Sequence, residues 1–268
     1  MANLKSKPQL QAQKLLQEHG LEDIIDISMD DFISGIDIIY QEEALRNCDG
    51  KIIFGNKRTI IKVDSGIQFI QRKRFVAAHE IGHSILHKGL TLPDDIFSNF
   101  NIFKDVEKYL KYGRQEYEAN IFASELLMPT SIFMKEAQGN FSPLLIRDLS
   151  NKFNSSLTAT AFKYLEMNLH PICIVLTERG RVKYWKKSDD MKVFVKECTK
   201  LHPPTDSVAA EYIENDYAFL YKFEEKAQQI NKSTWFQLNQ YDNDDTIYYE
   251  YCIPTKQYQT VLSIIWED

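Results

Sequence analysis

The chain has 268 residues, 44% of them hydrophobic, and a formal net charge of −6, which is typical of a globular protein with one large core or two smaller ones. The acidic net charge excludes a protein whose whole surface binds nucleic acid, because such a surface carries an excess of Lys and Arg. No apolar run is long enough to cross a bilayer and no signal segment is evident, so we expect a cytoplasmic protein without a membrane partner.

Cysteine usage points to the same compartment. Disulfide-stabilised secreted domains are usually short and cysteine-dense, whereas this chain has only four scattered cysteines and no CxxC pair. We therefore expect reduced and mostly buried thiols at Cys48, Cys173, Cys198 and Cys252.

The first third of the chain predicts a helix, a hairpin and a longer helix. Residues 8–19 are helical in pattern and stop at Gly20. In residues 51–63, two β-branched runs flank Gly55-Asn56, which predicts a hairpin with a tight turn. Residues 70–87 carry apolar or small side chains at helical spacing.

A polar, aromatic-rich connection over residues 91–113 separates that helix from the next one, which we predict over residues 114–127 because Pro129 disfavours helix just before it. The connection has some helical pattern around residues 106–110. It is either a lid or part of a substrate groove, or a tolerated surface insertion.

The helix over residues 70–87 contains an HExxH motif, His79-Glu80-Ile81-Gly82-His83. Residues four apart lie on one face of a helix, so both imidazoles can reach one metal ion. Zinc binds neutral imidazole and prefers four ligands. Glu80 lies beside the metal and can take a proton from the attacking water molecule. The alternative is a helix that happens to carry two surface histidines.

A third ligand is expected from the helix over residues 114–127, so that one coordination position stays open. Asn120 follows Glu116 by four residues and shares its face, so Glu116 could bind zinc while Asn120 hydrogen-bonds a liganding histidine. Around the helix, Glu118 lies about 160° from Asn120, so we interpret its side chain as solvated. Spacing favours Glu116 over Glu118 but leaves both open.

Two blocks of the sequence resemble the ImmA/IrrE metallopeptidases. Residues 74–83 are similar to that family's RFxxAHExGH helix, and residues 116–129 are similar to its ExEANxFAxxLLMP helix. The resemblance covers roughly residues 8–168. It implies that His79, His83 and Glu116 bind zinc and that Glu80 is the catalytic base.

Other candidate residues carry less signal. His87 follows His83 by four residues, but one helix cannot wrap three successive turns around a small ion, so we interpret it as structural or as a support for a ligand. His19, His170 and His202 have no candidate partner ligand. Tyr112 and Tyr117 are weak candidates for a donor to the oxyanion, because tyrosines more often serve in packing.

Residues 143–152 and 156–167 predict two helices whose leucine and phenylalanine spacing resembles a helix-turn-helix. The second helix offers only Thr158, Thr160 and Lys163 to DNA, which are few residues for contacts with bases or phosphates. DNA binding is therefore the less favoured interpretation, and a helical pair that supports the peptidase fold is the favoured one.

The composition changes near residues 169–171. Beyond it, residues 172–176 and 182–185 predict a strand–turn–strand, residues 209–221 are helix-like, and two more strands are predicted over residues 246–254 and 258–266. The arrangement is weakly similar to the GAF-like sensory domain that can follow the peptidase in the family. It is expected to bind a regulatory ligand or partner, or to be a structural or homodimerising domain.

The sequence thus predicts an α+β protein: a mainly helical zincin-like peptidase domain with a small β-sheet (residues 1–140), a helix-turn-helix-like unit (141–169) and a smaller α/β GAF-like domain (170–268). The predicted function is a zinc endopeptidase, with Zn²⁺ as its cofactor. The resemblance implies that it cleaves a helix-turn-helix repressor encoded nearby and relieves repression after stress, DNA damage or a phage or mobile-element signal. The alternative is a non-proteolytic DNA- or partner-binding regulator with a structural zinc.

Overall fold

A computed structural model describes residues 5–46, 48–55, 57–88, 113–218, 227–242 and 246–267. Its helices are α1 (Lys7–Glu18), α2 (Met29–Gly35), α3 (Ile70–Leu86), α4 (Arg114–Leu127), α5 (Thr130–Glu136), α6 (Pro143–Lys152), α7 (Leu157–Met167), α8 (Val208–Glu214) and α9 (Lys232–Trp235). Its strands are β1 (Ile38–Glu43), β2 (Gly50–Phe54), β3 (Thr59–Asp64), β4 (Ile172–Glu178), β5 (Arg181–Lys187), β6 (Phe194–Val195), β7 (Gln228–Asn231), β8 (Phe236–Gln237), β9 (Ile247–Thr255) and β10 (Thr260–Glu267). The fold class is α+β, as predicted.

The chain divides into two compact units. The first contains Met1–Glu136 and Ser150–Ala159, and the second contains Ala137–Leu149 and Thr160–Asp268, so α6 and α7 contribute to both. The limits predicted near residues 140 and 170 stay predictions. The lid or insertion predicted over residues 91–113 lies outside the described residues, apart from Gly113.

The described strands of the first unit form a sheet in the order β1-β3-β2, in which β1 is parallel and β2 antiparallel to the central β3. The predicted hairpin is confirmed: Gly55 N donates to Arg58 O at 3.1 Å across the turn. Strands β2 and β3 are rich in isoleucine and valine, whose branched side chains suit a half-buried sheet surface. Strand β2 lies at an edge of this sheet.

Helix α3 packs against β2 and β3 and supplies much of the first core. Val76, Ala77, Ala78 and Ile81 are buried there, while Arg72 pairs with Asp49, the residue before β2. The core includes Leu16, Phe32, Ile33, Ile61, Val63, Ala77, Ala78, Ile81, Phe122 and Leu126. Burial of these side chains makes the main contribution to the free energy that holds α3 against the sheet.

Helix α4 packs against α3 and α1. Glu125 on α4 is fully buried, and its Oε1 accepts from Gln13 Nε2 at 2.6 Å and from Thr130 N at 3.0 Å. A buried carboxylate is stable only with such donors. Glu125 therefore holds α1, α4 and the start of α5 together.

The second unit is built on an antiparallel sheet, whose described strands run in the order β5-β4-β10-β9-β7. The four strands predicted beyond residue 170 are confirmed as β4, β5, β9 and β10. The core of this unit includes Cys173, Val175, Val182, Tyr212, Trp235, Phe236, Tyr248, Val261 and Ile265.

All four cysteines are free thiols, three of them buried. Within the described ranges, no helix combines the length and the apolar character that a membrane span requires.

Candidate metal centre

Helix α3 brings His79 and His83 together on one buried face. Their Nε2 atoms lie 2.9 Å apart, and each residue is 1% exposed. The pair faces the helix that carries Glu116 and Asn120. Two unprotonated imidazole nitrogens placed in this way can bind one ion together.

Helix α4 adds Glu116 to this pair, which is the outcome that the spacing favoured. Glu116 Oε2 lies 3.3 Å from His79 Nε2, and Glu116 Oε1 lies 3.3 Å from His83 Nε2. One ligand atom from each of these residues falls within 4.8 Å of those from the other two. The structure therefore converges two imidazole nitrogens and one carboxylate on a single point.

This donor set fits a small divalent metal ion. Two ligand atoms bound tetrahedrally at about 2.0–2.1 Å are separated by about 3.3–3.4 Å. The two carboxylate–imidazole distances, one to each oxygen of Glu116, have this length, and the distance of 2.9 Å between the two imidazole nitrogens is shorter. Although Glu116 Oε2 lies close to His79, it has no hydrogen-bond partner among the described residues. Burial alone would raise the pKa of Glu116, but the neighbouring His79 and His83 outweigh it and lower the pKa to about 2. The carboxylate is therefore ionised and ready to bind a cation.

Glu80 lies beside this cluster rather than in it. Its carboxyl is 1% exposed, and Oε1 has no hydrogen-bond partner within the part of the chain that the structure describes. Burial raises the pKa of Glu80 to about 8, with Glu116 adding to that rise and His83 opposing it. A buried carboxyl that follows one candidate ligand by one residue, with Oε1 unpartnered among the described residues, is placed as a general base beside a metal ion would be.

The comparisons with known proteins agree with this geometry. Residues 68–164 match the Peptidase M78 family model, described as an IrrE N-terminal-like domain. This segment, about a third of the chain, is therefore similar to an IrrE N-terminal-like domain. This domain contains both histidines, Glu80 and Glu116, so the family resemblance of the two sequence blocks is confirmed.

The chain is also similar to a metallopeptidase. Over 96 residues the chain is 34% identical to Metallopeptidase ImmA of Bacillus subtilis (strain 168), a match that covers 35% of this chain and half the length of that relative. A Mycobacterium tuberculosis transcriptional regulator has a similar fold, with a TM-score of 0.58 over 99% of this chain and 89% of that one, at 14% identity.

Asn120 contacts one histidine of the cluster. Its Oδ1 lies 2.8 Å from His79 Nδ1, and Asn120 is 6% exposed. An amide oxygen only accepts, so His79 carries its proton on Nδ1 and leaves Nε2 unprotonated towards the cluster. The predicted pairing of Asn120 with a histidine is therefore present in the structure.

Glu118 was interpreted as solvated from its helical angle, and that interpretation is wrong. Its side chain is 19% exposed, and Oε2 lies 3.1 Å from Nε2 of the buried His87. His87 follows the last residue of α3 and reaches the part of α4 that carries Glu118. Sequence reasoning missed the contact between His87 and Glu118, although it gave His87 a structural or ligand-supporting role from its spacing to His83.

The other candidate residues are less informative. Tyr117 is 44% exposed on α4, and Tyr112 lies outside the described residues. His19 Nδ1 is 2.9 Å from Leu15 O, and His170 stacks on Phe141.

The helix that would read DNA is α7. Its Thr160 and Lys163 are 0% and 2% exposed. Buried side chains cannot contact base edges, so only Thr158 of the three candidates is even partly accessible. This burial agrees with the expectation that DNA binding is not the favoured role of the helical pair.

Proposed function

We propose that this chain is a zinc-dependent endopeptidase that cleaves a protein regulator, a helix-turn-helix transcriptional repressor, and so relieves repression in a stress, DNA-damage or phage or mobile-element response. The metallopeptidase named among its relatives supports the reaction class. The repressor substrate rests on the family resemblance, and the regulator of similar fold is too distant to add to it.

His79, His83 and Glu116 would hold the zinc ion, and Asn120 would fix the tautomer of His79. Two imidazoles and one carboxylate are the ligand set of many catalytic zinc sites, and they leave a fourth position open. Zinc bound there supplies a Lewis acid that polarises the peptide carbonyl.

Glu80 carries the proposal, because its carboxyl is buried beside the cluster and its Oε1 has no hydrogen-bond partner among the residues that the structure describes. We infer that Glu80 takes a proton from the attacking water at its carboxylate and then donates it to the nitrogen of the leaving amine. A purely structural zinc site uses four protein ligands and needs no base beside it.

The edge strand β2 offers a place for an extended peptide beside Glu80. A Cβ built on Gly50, the first residue of β2, would lie only 2.8 Å from Glu80 Oε1, so the strand begins at the catalytic carboxyl. The free backbone groups of an edge strand can pair with a peptide in extended conformation. Such pairing would recognise the substrate main chain with little demand on its sequence.

We also propose the predicted division of labour along the chain. Residues 1–140 would form the peptidase domain, residues 141–169 a helix-turn-helix-like support, and residues 170–268 a GAF-like domain that senses a signal. The antiparallel sheet of the second unit, with β4 and β10 fully buried apart from their last residues, supports an independently packed C-terminal domain.

Cleavage is best tested in cells that co-express the chain with the helix-turn-helix repressor encoded beside it, tagged at both ends. The wild type should produce two repressor fragments. Glu80→Gln should produce none while the purified variant still contains about one zinc ion per chain. Glu18→Gln, an exposed residue of α1, is the matched control and should cleave normally.

Two outcomes would contradict the proposal. Regulation that persists unchanged in the Glu80→Gln strain would favour the non-proteolytic regulator instead. New protein termini that appear equally with wild type and Glu80→Gln, when all cellular N-termini are compared by mass spectrometry, would mean that another protease cuts the repressor.

A further inference from the structure

His87 contacts the back of one candidate metal ligand. His87 Nδ1 lies 3.0 Å from His83 Nδ1, the ring nitrogen that faces away from the cluster, and His87 is 2% exposed. The two ring centroids are 5.0 Å apart. His83 thus has a direct partner on its Nδ1, as His79 has in Asn120.

The contact continues to the surface through two charged residues. His87 Nε2 lies 3.1 Å from Glu118 Oε2, and Glu118 Oε1 accepts from Arg114 Nε at 2.5 Å. The Arg114 side chain is 78% exposed, whereas that of Glu118 is 19% exposed. A continuous chain therefore runs from His83 through His87 and Glu118 to solvent at Arg114.

Proton positions along this chain follow from the chemistry of neutral imidazole, which has one N–H donor and one acceptor nitrogen. His83 can bind a metal through Nε2 only when its proton is on Nδ1. His87 Nδ1 must then accept that proton's hydrogen bond, which puts the proton of His87 on Nε2. Glu118, an acceptor at that end, favours this order and disfavours the reverse.

The reverse order would disable the ligand. If His87 carried its proton on Nδ1, His83 Nδ1 would have to accept, and the proton of His83 would move to Nε2, towards His79 and Glu116. The carboxylate of Glu118, held by Arg114, would then face an unprotonated nitrogen and lose its donor.

We propose that His87, Glu118 and Arg114 are positioning residues that hold His83 in the tautomer and orientation required for metal binding. The inference rests on the metal-binding part of the proposed function and not on peptide cleavage. Helix α4 would then contribute twice to the centre: Glu116 would bind the metal, and Glu118 would hold His87 against His83.

The tautomer can be read directly in the full-length, metal-free protein. Nitrogen-15 NMR of histidine distinguishes Nδ1–H from Nε2–H, and we expect His83 to be in the Nδ1–H form in the wild type. His87→Phe should shift His83 towards the Nε2–H form, while His87→Asn, which keeps an acceptor oxygen near the Nδ1 position, should preserve it. Glu118→Gln should give an intermediate population.

Zinc affinity, measured by competition with a chelator, gives the second readout. We expect His87→Phe to weaken zinc binding by about 10–100-fold, Glu118→Gln to weaken it less, and His87→Asn to restore most of the loss. Glu18→Gln removes another ion pair of i, i+4 spacing, with Lys14, and should leave both readouts unchanged.

An unchanged His83 tautomer and zinc affinity in both His87→Phe and Glu118→Gln would overturn the inference. Equal losses in His87→Phe and His87→Asn would also overturn it, because they would indicate a packing role. A wild-type chain that binds no zinc would refute the proposed function, yet the tautomer measurement in metal-free protein would still decide the present inference.

Discussion

A Cβ built on Gly82 would lie 3.2 Å from both the Cα and the carbonyl oxygen of Ala119, so α3 and α4 approach each other backbone to backbone at the candidate metal centre. Gly82 stands next to His83, and Ala119 follows Glu116 by three residues on the same helix. The close approach is what allows a carboxylate on α4 to reach the imidazoles on α3.

Gly82→Ala is therefore expected to push the helices apart and to destabilise the chain by about 1–3 kcal/mol, because the backbone of Ala119 has little room to yield. Zinc affinity should fall as well, since Glu116 moves with α4. Thermal unfolding and chelator competition measure the two effects. Gly35→Ala is the control: its added Cβ would meet only His19 Cδ2, at 3.8 Å. A Gly82→Ala variant with normal zinc affinity would refute the argument.

Gly50 occupies an equivalent position beside Glu80. An added Cβ would lie 2.4 Å from Val76 Cγ1 and 2.8 Å from Glu80 Oε1. Gly50→Ala should therefore displace the Glu80 carboxyl and lower kcat, while His79, His83 and Glu116 still bind zinc. Peptide cleavage and zinc content measure the two separately.

The Val76→Ala background isolates the effect on Glu80. Truncation of Val76 removes the nearer obstacle, so only the carboxyl remains in the way of the new methyl group. The melting temperature of the Gly50→Ala/Val76→Ala double variant should lie close to that of Val76→Ala alone. Its peptide cleavage should stay impaired. Full recovery of cleavage would show that the clash with Val76, and not the clash with Glu80, is what impairs the Gly50→Ala variant.

The pairs within each helix of the candidate site could be predicted from the sequence because their geometry is local, whereas the choice of Glu116 as the third ligand rested on the family resemblance. The i, i+4 spacing of His79 and His83 is fixed by one helix, and Glu116 and Asn120 share a face of another. The contact between His87 and Glu118 could not be predicted in the same way, since it depends on how α3 ends and how closely Gly82 lets α4 approach. Angular position on an isolated helix made Glu118 look solvated.

The fold was predictable where periodicity was strong and was missed where elements are short. The helix over residues 114–127 and the later strands carry clear patterns. By contrast, α2, β1 and α5 have only six or seven residues each. Tertiary contacts decide the structure of such segments: β1, for example, is stabilised by parallel pairing with β3, a partner about twenty residues away that local propensity does not reveal.

Asn120 should matter through its acceptor oxygen. Asn120→Leu removes the partner of His79 Nδ1 and is expected to weaken zinc binding by about 10–100-fold. Asn120→Asp keeps an acceptor at the same place and should retain most of the affinity. Equal affinity in Asn120→Leu and the wild type, measured by chelator competition, would show that His79 needs no such support.

The second unit contains a buried carboxylate with a different purpose. Glu250 is 0% exposed, and its Oε2 accepts from Val208 N at 2.9 Å and from Trp235 Nε1 at 3.1 Å, while Oε1 accepts from Ser263 Oγ at 2.6 Å. The donors come from α8, α9 and β10, so one side chain joins three elements.

Stability of the chain should depend on pH through Glu250. Burial raises the pKa of this carboxyl above its ordinary value of 4.5, although the Ser263 and Trp235 donors oppose the rise. The folded chain therefore binds the proton more tightly than the unfolded chain does. The resulting stabilisation is fully present below the pKa of the unfolded chain and is lost as the pH rises through the pKa of the folded chain.

Glu250→Gln does not titrate and provides the reference, because other titrating groups contribute equally to both proteins. The melting temperature of the wild type minus that of Glu250→Gln should therefore fall as the pH rises above the ordinary glutamate pKa of about 4.3. A difference that instead rises with pH would mean that the donors, and not burial, dominate the carboxyl.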